Sequence, residues 1–209
     1  MNKIKQIINN TRMVDRGNPS TESEVYQKFY SPSDELQGLV DLIHHIGGLK
    51  GKTCLEVGCY RGISSEAFLV HEPHEMHFVD IWGKNPEYSE SDWALGASST
   101  NWEEVKEDFL KRIKPYLERT KIFVKHEFSA EASKGIPDNY FDFIYIDGDH
   151  SYGGIRKDIS NWLPKLSKGG YFCGHDYTTT PHIRKACHEV FDKNKILTFN
   201  DSSFAIKIN

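Results

Sequence analysis

The chain has 209 residues, the size of one ordinary domain, and 38% of them are hydrophobic while 27% are charged. A formal net charge of -4 gives no overall attraction to nucleic acid or to an anionic membrane, so neither is expected as a partner. No stretch approaches the ~18 apolar residues that cross a bilayer, and the first residues do not form a secretory signal. We therefore expect a cytoplasmic protein with four reduced cysteines, at Cys54, Cys59, Cys173 and Cys187.

The first 50 residues are predicted to form an N-terminal arm that carries one helix and could act as a lid. Residues 1–30 are polar and lack a periodic pattern. After Ser31, a favourable helix cap, Pro32 suits the first helical turn, and Gly47 with Gly48 ends the apolar periodicity. The remaining residues, 51–209, are predicted to form the main domain.

From residue 51 onward, short apolar strands alternate with amphipathic helices, a pattern that predicts a parallel sheet with helices on both faces. The predicted strands are Thr53–Val57, Met76–Asp80, Lys121–Lys125, Phe141–Asp147, Gly170–Gly174, Ile196–Phe199 and Phe204–Ile208, the last two as an antiparallel pair. The predicted helices are Ser64–Val70, Trp102–Leu117, Gly154–Leu163 and Pro181–Lys193. A polar insert, residues 83–101, is expected to form a long functional loop.

The turn after the first strand has the pattern Glu56-x-Gly58-x-x-x-Gly62. A dinucleotide fingerprint starting at Gly58 would need glycine at positions 60 and 63, where Tyr60 and Ile63 stand, so a dehydrogenase is disfavoured. A glycine turn that leads into a helix can instead hold the carboxylate and amine of an amino acid. Tyr60 lies within this turn and is counted among the expected ligand contacts.

The second strand ends in an acid and an aromatic residue that suit a nucleoside. Asp80 follows Glu56 by 24 residues, the offset of a carboxylate that accepts both ribose hydroxyls. Trp82 could lie along an adenine ring. The alternatives are that Asp80 is a turn or capping residue and that Trp82 packs in the core. Together with the glycine turn, the pattern favours an adenosine ligand.

Acids and imidazoles cluster after the fourth and fifth predicted strands. They are Asp147, Asp149, His150, His175 and Asp176. The carboxyl ends of neighbouring parallel strands lie side by side, so these side chains should converge. Three carboxylates in one small volume need a cation, an imidazolium or a substrate to compensate them. For Asp149 alone, capping of the following helix is an equal alternative.

These residues carry a resemblance to a known family. Leu55–Gly62, Asp80, Ile146–Tyr152 and Gly169–Tyr177 resemble class I S-adenosylmethionine-dependent methyltransferases. The resemblance covers about residues 50–177 and is strongest to a small bacterial and phage-type subgroup with an Asp-Gly-Asp-His-Ser-Tyr motif. That subgroup is similar to macrolide-sugar and aminocoumarin-sugar O-methyltransferases. It implies a Rossmann-like, doubly wound sheet of about seven strands, mostly parallel with an antiparallel last strand.

The resemblance also implies roles for individual residues. Glu56, Gly58 and Gly62 would shape the methionine end of S-adenosylmethionine, Asp80 would hold the ribose, and Ser129 or its neighbours would border the adenine. Asp147 is also counted among the cofactor-binding residues.

In the sugar enzymes a divalent metal is held by an acid that ends strand four and an acidic pair that ends strand five. Asp147 and Asp176 match two of these positions, but the third is His175. Imidazole is a poorer ligand than carboxylate for Mg²⁺ and suits Mn²⁺ or Zn²⁺ better, so a metal cofactor, whether Mg²⁺, Mn²⁺ or none, stays open.

The sequence therefore predicts O-methylation of a small-molecule or sugar hydroxyl. His150 is the expected general base, because imidazole titrates near neutral pH, and Asp149 is the alternative base or the group that orients His150. A second hypothesis is a non-catalytic module that binds S-adenosylmethionine. The acceptor is not encoded in a recognisable motif, and a homo-oligomer is compatible with the sequence.

Overall fold

The computed structural model describes residues 32–83 and 100–209, which build one seven-stranded sheet with the order β3-β2-β1-β4-β5-β7-β6. The strands are β1 (Thr53–Val57), β2 (Glu75–Asp80), β3 (Lys121–His126), β4 (Phe141–Ile146), β5 (Leu166–Gly174), β6 (Leu197–Thr198) and β7 (Phe204–Lys207). The helices are α1 (Pro32–His45), α2 (Ile63–Leu69), α3 (Trp102–Ile113), α4 (Ser129–Ser133), α5 (Tyr152–Trp162) and α6 (Pro181–Val190). Short 3-10 turns occupy Lys114–Tyr116, Leu163–Lys165 and Lys193–Lys195.

The sheet is parallel from β3 to β5, and β7 runs antiparallel to both of its neighbours, β5 and β6. This confirms the predicted Rossmann-like α/β class with an antiparallel strand near the end of the chain. The last two strands do pair with each other, as predicted, but β7 also inserts itself between β5 and β6. Its register places Ile206 opposite Phe172 of β5.

Helices cover both faces of the sheet and bury one apolar cluster on each. Leu42, Phe68 and Phe109 represent the cluster under α1, α2 and α3. Ile155 and Trp162 represent the cluster under α5, which α4 and α6 also join. The central strands β1 and β4 are buried on both faces, which explains why they are continuous apolar runs rather than alternating ones.

Helix α1 packs into the core rather than forming an appendage. Leu39, Leu42 and Ile43 are buried with the residues of α2, so the expected boundary at residue 50 does not separate two packing units. Residues 1–31 of the predicted arm and residues 84–99 of the predicted insert lie outside the described residues. Within the described ranges, no helix combines the length and apolarity that a membrane span requires.

Three helices differ from the sequence-based expectation. The helix predicted to extend to Lys193 ends at Val190. The helix predicted to extend to Leu117 ends at Ile113 and continues as a 3-10 turn, because Pro115 lacks the N–H group that the next helical hydrogen bond needs. Helix α4 was not predicted, since five residues are too few to show a period.

Candidate functional site

The glycine turn after β1 lies directly against the end of β4. Gly58 has a φ of 87°, and a Cβ built on it would stand 2.1 Å from the carbonyl oxygen of Asp147. The amide of Asp147 in turn donates to the carbonyl of Val57 over 2.7 Å. Only glycine combines this left-handed conformation with so close an approach, so the turn and the Asp147 loop form one edge.

Glu56 is wholly buried just before this turn. The hydroxyls of Ser64 and Ser65, in the first turn of α2, donate to its carboxylate. Burial raises the pKa of Glu56 to about 8, against the effect of these two hydrogen bonds. The side chain therefore ties β1 to the start of α2 and fixes the shape of the turn between them. Gly62 precedes α2 with a φ of 81°.

Asp80, at the end of β2, also organises the glycine turn. Its Oδ2 accepts hydrogen bonds from the amides of Cys59 and Tyr60 at 2.7 and 2.8 Å, and its Oδ1 accepts from the amide of Trp82 at 2.7 Å. Burial raises the pKa of Asp80, and these hydrogen bonds oppose the rise. The turn role that the sequence left as an alternative is thus present. A carboxylate has about four lone-pair positions, so acceptance of a ribose hydroxyl stays a prediction compatible with this arrangement.

Trp82 lies in the core beneath the turn, which is the packing alternative. Its side chain is 4% exposed, its Nε1 donates to the carbonyl of Tyr60 over 2.9 Å, and its ring centroid lies 4.8 Å from that of Phe109. Tyr60, by contrast, is 42% exposed and has a φ of 48°. The aromatic ring that the turn exposes is therefore that of Tyr60, and the expectation of an adenine contact by Trp82 lacks support from this packing.

Four side chains converge after β4 and β5, and we call them the acid–imidazole quartet: Asp147, His150, His175 and Asp176. The Nε2 of His150 lies 3.4 Å from a carboxylate oxygen of Asp147 and 3.4 Å from one of Asp176. The Nδ1 of His175 lies 3.3 Å from Asp176 and 3.9 Å from Asp147. These are four of the five side chains that the sequence predicts to converge, the fifth being Asp149, and their chemical roles remain predictions.

The backbone of β5 and the β6–β7 turn position the second half of the quartet. The amide of His175 donates to the carbonyl of Ile146 over 3.1 Å, which extends the β4–β5 pairing by one residue. Asp176 follows in a left-handed conformation with a φ of 59°. Next, the amide of Tyr177 donates to the carbonyl of Ser202 over 3.0 Å. The turn before β7 therefore holds the segment that carries His175 and Asp176.

The charges in the quartet compensate one another. Burial acts to lower the pKa of His175, but the carboxylates of Asp147 and Asp176 outweigh it and raise this pKa to about 10. Burial would raise the pKa of Asp176, yet His175 and His150 bring it to about 2. The pKa of His150 is also raised, against burial, by its contact with Asp147. Two imidazoles thus balance two carboxylates in this structure.

Asp149 is directed toward helix α5. Its Oδ1 accepts a hydrogen bond from the amide of Ser151 over 2.8 Å, and a Cβ built on Gly154 would stand 2.0 Å from its Cγ. The hydroxyl of Ser151 accepts from the amide of Gly154 and caps the helix. Ser151 is therefore the residue that caps α5, whereas Asp149 closes a turn just before it, and only glycine at position 154 leaves room for the carboxylate of Asp149. A role of Asp149 as a base or as a group that orients His150 stays a prediction.

Ser129, at the start of α4, belongs to a buried network that the sequence analysis did not predict. Its hydroxyl donates to Oδ1 of Asp158 and accepts a hydrogen bond from Nε1 of Trp162 over 2.8 Å. Burial raises the pKa of Asp158 to about 7. The available signal was the position of Asp158 on the apolar stripe of α5, between Ile155 and Ile159, where a solvated acid is not expected.

Comparison with known proteins is consistent with this geometry. A family model described as a methyltransferase domain matches residues 55–177, more than half of the chain. The fold is similar to that of the O-methyltransferase NovP, at 16% identity over 85% of this chain and 78% of that one, with a TM-score of 0.54. It is also similar to an O-methyltransferase from Bacillus cereus in complex with SAH, at 12% identity over 100% and 91% of the two chains, with a TM-score of 0.58.

A curated relative, the uncharacterized protein y4gI of Sinorhizobium fredii (strain NBRC 101917 / NGR234), is 36% identical over 53 residues. That match spans 25% of this chain and 6% of the relative's length. The family model covers both the glycine turn and the quartet, which confirms the resemblance in sequence. The chain belongs to the methyltransferase domain family and has the class I fold.

Proposed function

We propose that this methyltransferase transfers the methyl group of S-adenosylmethionine to a hydroxyl oxygen of a small-molecule acceptor such as a sugar, and that the acid–imidazole quartet is the acceptor site. The observation that carries this proposal is the contact between the glycine turn and the quartet. Gly58 approaches the Asp147 backbone so closely that the two share one edge of the sheet. An acceptor held by the quartet would therefore lie beside the turn that is expected to hold the methionine end.

The chemistry assigned to the quartet follows from the reaction. The bond from sulfur to the methyl group breaks as a bond from the acceptor oxygen forms, and the sulfonium becomes a neutral thioether. The hydroxyl must lose its proton in the process, and His150 would take it once its own ring has given up the proton that Asp147 and Asp176 favour. The carboxylates of Asp147 and Asp176 would orient the hydroxyl, and such alignment can contribute ~7–11 kcal/mol in favourable cases.

Asp147, His175 and Asp176 also fit a divalent cation. Each offers one ligand atom, and these atoms all lie within 4.8 Å of one another, so small side-chain movements would bring them onto a shared ion. The mixed oxygen and nitrogen set suits Mn²⁺ or Zn²⁺ better than Mg²⁺. Because His175 holds a proton tightly here, binding of a metal to its ring must release that proton. A metal ion so held would acidify the acceptor hydroxyl.

The test combines cofactor binding with turnover. The wild-type protein should bind S-adenosylhomocysteine in calorimetry and should release it from S-adenosylmethionine in the presence of an acceptor found in a panel of sugars and phenols. His150→Ala should lower turnover by roughly 10²–10⁴-fold and leave the affinity for S-adenosylhomocysteine within about twofold. The matched control is His182→Ala, an exposed imidazole on α6, which should change neither quantity.

Two outcomes would contradict the proposal. Absence of S-adenosylhomocysteine binding by the wild-type protein would remove the cofactor assignment. Full turnover by His150→Ala would remove the acceptor-site assignment while leaving the methyltransferase activity itself intact.

A further inference from the structure

The outer strand β3 forms an open edge of the sheet that the proposed methyl transfer does not use. It has six residues, Lys121–His126, whereas β6 at the opposite edge has only two. Among residues 32–83 and 100–209, only β2 pairs with β3, so the outer side of β3 has no strand partner there. A long open edge is a template for pairing with another chain.

Apolar side chains are concentrated along this edge. Phe123 and Val124 are each 37% exposed, and Phe128, two residues beyond the strand, is 48% exposed. Ile122, by contrast, packs partly against the core cluster under α1, α2 and α3. The strand is therefore held to the sheet on its inner side, while its outer side presents apolar surface to solvent.

The direction of the backbone groups decides which residues of β3 could pair outward. The amide of Lys121 donates to the carbonyl of His74 over 3.1 Å, on the β2 side of the strand. Because successive residues of a strand direct their backbone groups to opposite sides, the N–H and C=O groups of Ile122, Val124 and His126 point away from β2. Each of these residues offers one donor and one acceptor to a further strand.

A second copy of β3 fits this edge when it runs antiparallel about a twofold axis at Val124. In that register Val124 faces its own copy, and Ile122 faces His126 of the second copy. Each such pair exchanges two hydrogen bonds, so the two strands form about six in all. The same patch serves both copies, as a twofold interface requires.

The side chains in this register are complementary. Lys121 lies opposite Glu127 of the second copy, and both side chains are exposed. Phe123 lies opposite the aliphatic stem of Lys125 of the second copy. Pairing about Phe123 instead would set Lys121 against Lys125, two like charges, and would form fewer hydrogen bonds. Charge and hydrogen bonding therefore select the same register.

Lysines on an edge strand commonly prevent pairing, but the two lysines of β3 are held by acceptors of their own chain. Lys121 donates to the buried carboxylate of Glu75 over 2.8 Å, and Lys125 donates to the carbonyl of Ala132 over 2.9 Å. An ammonium group has three donors, so Lys121 can keep Glu75 and still meet Glu127 of a second copy.

We propose that β3 joins two copies of this chain into a dimer whose sheet runs continuously through both subunits. Because the strands are antiparallel across the axis, the carboxyl ends of the two half-sheets face opposite directions. The glycine turn and the acid–imidazole quartet of each subunit therefore stay open in the dimer. The inference concerns a surface remote from that site and does not depend on the proposed function.

Sedimentation velocity measures the association directly. A short strand pair makes a small interface, so the wild-type protein should shift from monomer to dimer as its concentration rises to about 0.1 mM. Val124→Pro removes an N–H group at the axis and leaves the bonds between β3 and β2 in place, since that N–H points outward. This variant should remain monomeric at the same concentration.

Two further variants test the register. Glu127→Lys reverses one charge of each pair across the axis and should weaken the dimer at least about fivefold, whereas Asp41→Lys, the same charge change at an exposed position on α1, should not. Val124→Cys places two sulfurs at the axis, where the Cα atoms lie ~5.5 Å apart, and should form an intersubunit disulfide under mild oxidation. Leu197→Cys, exposed on β6, is the control and should not, and the natural cysteines are buried.

Each outcome decides the matter. A wild-type protein that stays monomeric throughout the titration shows that the edge does not bind a second copy, and the inference is wrong. A dimer that survives both Val124→Pro and Glu127→Lys, or that cross-links through Leu197→Cys and not through Val124→Cys, uses another surface and equally overturns it. None of these measurements involves S-adenosylhomocysteine, so the proposed function stands or fails separately.

Discussion

Replacement of Gly58 by alanine should strongly destabilise the chain, because the glycine turn tolerates no side chain at this position. Two costs add up. A residue with a Cβ in the left-handed conformation costs ~1–2 kcal/mol. The new methyl group would also stand 2.1 Å from the carbonyl oxygen of Asp147, and relief of such an overlap by backbone movement costs ~1–3 kcal/mol. The expected loss in free energy of unfolding is therefore about 2–5 kcal/mol.

Thermal unfolding followed by circular dichroism measures this loss. For a chain of this length, 1 kcal/mol corresponds to about 2–4 °C, so the melting temperature should fall by roughly 4–20 °C. Gly153→Ala is the matched control, since Gly153 lies in α5 with nothing within 4 Å of its added Cβ. Alanine there should stabilise the helix by ~0.5–1 kcal/mol. A melting temperature of Gly58→Ala within about 2 °C of the wild type would refute the close contact between the turn and Asp147.

Three further predictions concern single carboxylates. Asp80→Ala should lower the melting temperature, since it removes the acceptor of three backbone amides. If Asp80 also holds the ribose as proposed, the substitution removes roughly 2–4 kcal/mol of hydrogen bonding and should weaken S-adenosylhomocysteine binding at least tenfold. A lower melting temperature with unchanged affinity would leave Asp80 a turn residue only. Although burial opposes it, hydrogen bonds from Lys121 and Tyr140 lower the pKa of Glu75 from 4.5 to about 2. The stability that this carboxylate contributes is complete above pH 4.5 and is lost as the pH falls toward 2. The urea midpoint should therefore drop less between pH 6 and pH 3 in Glu75→Gln than in the wild type. Equal drops in the two proteins would contradict this prediction. In calorimetry, the wild-type protein should bind Mn²⁺ more tightly than Mg²⁺, and Asp176→Ala should no longer bind Mn²⁺. Equal or tighter binding of Mg²⁺ by the wild-type protein would contradict the role of His175 as a metal ligand.

The parts of the fold that were predictable share a physical origin. Strands β1 and β4 are buried on both faces, so their short apolar runs stand out against the charged helices around them. The acid–imidazole quartet was predictable for a related reason: its members directly follow two strands that pair in parallel. Adjacent strand ends imply neighbouring side chains even before any distance is known.

What the sequence could not resolve depends on contacts between distant residues. Trp82 could face a ligand or the core, and only the position of Phe109 on α3 decides for the core. Asp149 and His150 are neighbours in one motif, yet they lie in different surroundings. Gly154 has no side chain, and this leaves the space on α5 that the carboxylate of Asp149 occupies. Asp158 lies in no motif at all, and its partner Ser129 is 29 positions away in the chain.

The insertion of β7 between β5 and β6 has a consequence for how the site forms during synthesis. All four quartet side chains have been translated by residue 176, but the segment that carries two of them is held by Ser202 and by the pairing of β5 with β7. A nascent chain that has emerged only to Thr178 thus contains every member of the quartet and lacks the strand that holds half of it in place. Because such pairings close late, the quartet should reach the arrangement described above only when the strand Phe204–Lys207 has left the ribosome and docked.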